Sequence, residues 1–167
     1  MAHEPPIATV LPDSENAKAC ARAVNETYMR SGFGAGMAHF IAVVSHEGEF
    51  PDGFAQQPAP DPAMFGMPTE DDGSRDDALM AQNMVTGSHY ECDFDALRKA
   101  STRIVPALGV ESEKVMTGRT TKAVAERLGI EPVIFPGDHG GFFGGEYGQQ
   151  GKPDEFAAKL REVLAGK

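Results

Sequence analysis

One imidazole dominates the chemistry available to this chain. Phe135-Pro136-Gly137-Asp138-His139-Gly140-Gly141-Phe142 is a glycine-rich stretch that directly follows the apolar run Pro132-Val133-Ile134-Phe135. A loop in that position presents its histidine at the carboxyl edge of a sheet, where open α/β folds keep their reactive groups. The residue type suits a general base, which acts by taking a proton from a hydroxyl or thiol within hydrogen-bond reach. No Gly-x-Ser-x-Gly or Gly-x-Cys-x-Gly elbow occurs in the 167 residues. The sequence offers a base without a matching nucleophile.

Other chemically suggestive runs are weaker. His89-Tyr90-Glu91-Cys92-Asp93 collects potential metal ligands but has no spaced second pair, so no metal site is expected. His46-Glu47-Gly48-Glu49-Phe50 lacks the second histidine of a zinc protease helix. The acidic run Asp71 to Asp77 lacks calcium-loop spacing and reads as a solvated loop. Gly32-x-Gly34-x-Gly36 follows a helix instead of a strand, so it reads as an interhelical turn and not a pyrophosphate cradle; no cofactor is expected. Six of the eight methionines and six of the ten phenylalanines fall within residues 13–96. Core packing explains most of them, but Met37, Phe40, Met64, Phe65, Met80 and Met84 are also the side chains that would line an apolar small-molecule pocket.

The elements that must position His139 lie in the last third of the chain. Arg103 to Val110 reads as a buried strand, Thr117 to Leu128 as a helix ended by Gly129, and Pro132 to Phe135 as a second strand parallel to the first. Pro153 opens a closing helix with Phe156, Leu160, Val163 and Leu164 on its apolar face. Before these, a helix from Asp13 or Ser14 to about Arg30 buries Ala17, Cys20, Ala21, Val24 and Tyr28. It breaks at Ser31 to Gly36, and a second helix carries Met37, Phe40, Ile41 and Val44. A Pro/Gly/Asp-rich excursion spans 48–74, and a further helix begins near Asp76 and Asp77. Two regions result, 1–100 helical and loop-rich, and 101–167 a βαβα unit. The expected fold class is α/β.

Composition narrows the partners. Twenty-five acidic residues against 15 basic ones give a net charge of −10, which argues against nucleic acid and anionic membranes. No apolar run approaches the ~20 residues of a membrane span. Cys20 and Cys92 are read as reduced thiols, and the expected location is cytoplasmic.

With these residues in place, the chain resembles the C-terminal portion of an α/β-hydrolase. His3-Glu4-Pro5-Pro6 is similar to the family's strand end before a helical cap, residues 13–96 to the cap, and Pro136-Gly137-Asp138-His139 to its histidine loop. The resemblance implies a partial α/β-hydrolase-like fold: two parallel strands with flanking helices, plus a helical cap. It also implies that the oxyanion loop and nucleophile elbow belong before His3. After the first strand the family places Asp where this chain has Ser112, in Gly109-Val110-Glu111-Ser112-Glu113. Glu111 is then the first candidate to orient His139, and Ser112 the first candidate for a substitute nucleophile if the pure chain turns over esters.

The functional expectation is a truncated hydrolase of the esterase type, active only when a partner supplies the nucleophile. The alternative is a non-catalytic protein that binds an apolar small molecule. Strand 103–110 is expected to keep an unpaired edge, so the chain is expected to pair with itself or with a chain supplying the missing half.

Overall fold

The computed structural model describes residues 1–166, apart from the side chain of Tyr147. They form two compact units, Pro6–Cys92 and a discontinuous one made of Met1–Pro5 with Asp93–Lys167. The expected division at residue 100 therefore moves to 93, and the first five residues return to the C-terminal unit.

In the first of these units, helix α1 (Ser14–Val44) carries the apolar stripe inward: Ala17, Cys20, Ala21, Val24 and Tyr28 are all buried. The expected break shrinks to one residue, Gly32, whose φ of 82° kinks a helix that resumes at once. The neighbouring glycines are there for closeness. A Cβ on Gly34 would lie 1.8 Å from the Pro68 carbonyl oxygen, and one on Gly36 would lie 2.8 Å from the Tyr28 side chain. Arg75 ties the excursion down. Its guanidinium sits 5.6 Å over the Tyr28 ring and grips both carboxylate oxygens of Asp71 at 2.9 and 2.6 Å. The helix expected near Asp77 begins as a π-helical turn, Leu79–Asn83, and continues as the short α2 (Met84–Ser88).

In the other unit, β1 (Ala2–His3) precedes α3 (Phe94–Lys99), β2 (Pro106–Gly109), α4 (Met116–Leu128), β3 (Val133–Phe135) and α5 (Pro153–Leu164). The sheet runs β1-β2-β3, all parallel, with Ala2 opposite Pro106 and Gly109 opposite Phe135. Val105, Ala107, Phe135, Phe156 and Val163 form its core. α4 ends at Gly129 in the left-handed region (φ 72°), as its sequence requires.

The expected fold class needs correction. Helix accounts for 53% of the chain, while the strands have only two, four and three residues. So small a sheet does not make the α/β fold, or the partial α/β-hydrolase-like fold, that the sequence suggested. The strand expected over 103–110 is cut short because Pro106 lacks an amide to extend pairing backward and Val110–Ser112 turns into a 3-10 helix. The free edge expected on that strand is also absent. The Ala2 amide donates to the Val105 carbonyl at 2.9 Å and the Glu4 amide to Ala107 at 2.8 Å, making β2 the central strand. No helix among the described residues is long and apolar enough to cross a membrane.

Candidate active site

The carboxyl ends of β1, β2 and β3 meet around the carboxylate of Glu4. Glu4 is the only non-glycine described residue with positive φ, at 48°, and it precedes Pro5, which further restricts its backbone. Such a conformation is disfavoured by about 1–3 kcal/mol and persists only where the surroundings over-determine it. Here they do. The side chain is fully buried, Oε1 accepts the Gly109 amide at 2.8 Å, and Oε2 accepts the Thr117 hydroxyl at 2.7 Å. The hydroxyl of Ser112 bonds the same carboxylate. His139 Nδ1 completes the set, 3.0 Å from Oε2.

Local sequence explains why these groups converge. Gly109 has no Cβ because one would lie 2.4 Å from the Gly137 carbonyl oxygen, which itself accepts the Glu111 amide at 3.0 Å. Gly118 likewise lets the first turn of α4 close on the β2–α4 connection, where a Cβ would meet the Ser112 carbonyl oxygen at 1.9 Å. That turn brings Thr117 onto Glu4, and Thr120 donates to the Pro5 carbonyl at 2.6 Å. The Asp138 carboxylate accepts the Gly140 amide at 2.8 Å, a turn that holds the histidine loop.

The electrostatics result from this geometry. Burial alone would raise the pKa of Glu4. The hydrogen bonds from His139, Thr117, the Gly109 amide and Ser112 more than offset it and hold the carboxyl at about 2. The bond to Glu4 raises the His139 pKa above its ordinary value, against the opposing pull of burial. Although its Nδ1 is anchored to a buried acid, the His139 side chain is 64% exposed, and no described hydroxyl or thiol bonds its Nε2. An oriented imidazole with one open nitrogen can accept a proton from whatever hydroxyl is brought to it.

Of the three residues singled out for catalysis, the structure brings two onto one carboxylate and sends the third elsewhere. His139 and Ser112 both bond Glu4, but Ser112 is buried on the acid and not set against Nε2. Glu111 points to Lys152, 2.9 Å away at the surface. Glu4 takes the orienting position. Sequence reasoning missed it because 135 residues separate it from His139; the only signal was an acid at a strand end pinned by Pro5 and Pro6.

The remaining candidates disperse. Met80 is fully buried, Met64 is 76% exposed, and Met37, Phe40, Phe65 and Met84 are half-buried. None of the six lines the cavity of about 300 Å³ in the helical unit, which lies instead between Phe33, Pro68 and the carboxylates of Glu70, Asp72, Asp76 and Asp77. Among the described residues no three His, Cys, Asp or Glu side chains converge as for a metal. His89 is engaged by the Arg22 guanidinium at 2.6 Å and by the Val85 carbonyl at 2.8 Å. No disulfide links Cys20 to Cys92.

Comparison with family models, curated proteins and solved structures finds no match to this chain. The site is therefore defined by its own geometry: a mostly helical protein carrying a buried glutamate hydrogen-bonded to an exposed histidine.

Proposed function

We propose that this chain supplies the acid–base half of a nucleophilic hydrolase centre of the esterase type, and that the nucleophile arrives from outside these residues, on a second chain. Glu4 holds His139 in the tautomer that keeps its proton on Nδ1 and stabilises the imidazolium formed once Nε2 takes the nucleophile's proton. His139 later returns that proton to the leaving group. The observation that carries this reading is the 3.0 Å bond from an exposed imidazole to a fully buried, fully hydrogen-bonded carboxylate. A binding protein for an apolar ligand has no comparable support, since the six apolar side chains expected to line its pocket do not line the cavity beside Phe33 and Pro68, which carries four carboxylates. That Cys20, a buried thiol whose pKa is pushed up to about 11, and Cys92 are not joined in a disulfide fits a reducing compartment such as the cytoplasm.

The test is active-site labelling. The complex recovered with the full chain, from the cells that make it, is treated with a fluorophosphonate, which reacts only with an activated serine. The expected label falls on a polypeptide other than this one and vanishes with His139→Ala while the complex persists. Label that is absent, or indifferent to His139→Ala, overturns the proposal. Label on Ser112 would place the nucleophile in this chain.

A further inference from the structure

His3 precedes the orienting acid, and its ring lies beside the site without serving it directly. The imidazole packs edge-on against Phe156 (5.1 Å between centroids), tilted against Phe135 (5.6 Å), and parallel to His139 within 11° at 6.0 Å. Both ring nitrogens are shut off from solvent and neither completes a hydrogen bond among the described residues. A buried imidazole left in that state is an anomaly that needs an explanation, because polar atoms in folded cores are almost always paired. A phenylalanine would fill the same place without leaving two polar atoms unpaired.

What the nitrogens add is the capacity to take a proton, and the surroundings decide how the structure responds to it. From its own strand His3 faces Glu4, whose carboxylate is already occupied by Gly109, Thr117, Ser112 and His139. The histidine loop presents His139 and the backbone of Asp138, while β3 and α5 present the uncharged rings of Phe135 and Phe156. A charge on His3 therefore has no counterion to itself and stands 6.0 Å from a second imidazole that Glu4 keeps charged at the same pH. Two like charges at that distance repel, and of the two rings His3 is held in a strand while His139 stands on the loop.

We infer that His3 is an acid trigger for the histidine loop: proton uptake by its buried ring drives His139 off Glu4 and opens residues 137–143. Burial lowers the His3 pKa; Glu4 and the nearby backbone of Asp138 and His139 oppose that effect, and the His139 ring adds to it. The folded state thus resists protonation of His3, and loop stability falls as pH drops below the ordinary histidine value of 6.5 toward the lowered one. This device is independent of the reaction proposed above, and its test uses no substrate.

The experiment tracks the five histidine rings of the full chain by NMR from pH 8 to 4.5, with amide hydrogen exchange along the loop. In the wild-type protein, exchange of the 137–143 amides, referred to the intrinsic rate at each pH, should rise at least tenfold across the window in which His3 becomes charged, while the amides of α1 keep their protection. In His3→Phe the rise should be absent down to pH 4.5. A loop whose protection is constant over that range, a His3 that titrates without changing it, or an equal rise in His3→Phe would each overturn the inference. Should His3→Phe fail to fold, the wild-type comparison of the His3 titration with loop exchange decides the matter alone.

Discussion

Glu4 shows how a single carboxylate can serve stability and chemistry together. In the unfolded chain it titrates near 4.5, in the fold near 2, so the folded state gains about 3 kcal/mol from it at neutral pH. That gain is complete above pH 4.5 and is lost as pH falls through about 2. His139 runs the opposite way: its pKa is raised, so its smaller contribution is present below 6.5 and fades as pH climbs through the raised value. Glu4→Gln should remove the charge, leave donors without an anion, and destabilise the chain by about 2–4 kcal/mol in urea denaturation. In the same variant the His139 titration should fall back toward the ordinary histidine value, read by NMR. A variant that keeps the raised value would show that Glu4 is not its partner in solution. Glu111→Gln is the contrast. It breaks only an exposed pair with Lys152, and both stability and the His139 titration should stay within about 0.5 kcal/mol and experimental error of wild type.

At the scale of elements, the site depends on how closely α4 approaches the turn after β2. Gly118→Ala would place a methyl against the Ser112 backbone at 1.9 Å, and backbone cannot step aside as a side chain can. The expected cost is about 2–4 kcal/mol, together with loss of the raised His139 titration as Thr117 is levered from Glu4. Gly87→Ala in α2 should do the reverse. Nothing lies within 4 Å of the added Cβ, so better helix propensity should stabilise the protein by about 0.5–1 kcal/mol. Thermal melts of the two variants make the comparison. α4 was legible in the sequence because its amphipathic period and Gly129 agree with each other. β1 was not legible, because two residues carry no period and Ala2 and His3 pair only through backbone groups with a strand a hundred positions away. His139 could be found because a glycine-rich loop after an apolar run is a local pattern. Its partner could not, since no local rule connects positions 4 and 139.

For the molecule as a whole, the discontinuous unit has a consequence in time. Glu4 leaves the ribosome long before the groups that receive it, Gly109, Ser112, Thr117 and His139. At about 5–20 residues per second, the 135 residues between acid and base take on the order of ten seconds to synthesise. Through that interval the N-terminal segment must wait without its strand partner, while Pro6–Cys92, a continuous stretch, is completed well before the interval ends. Nascent chains arrested once residue 92 has cleared the exit tunnel should therefore protect α1 from protease while leaving residues 1–5 accessible. Those arrested after residue 139 has emerged should protect both. The orienting acid is thus translated well before the base it serves and is among the last groups to reach its place.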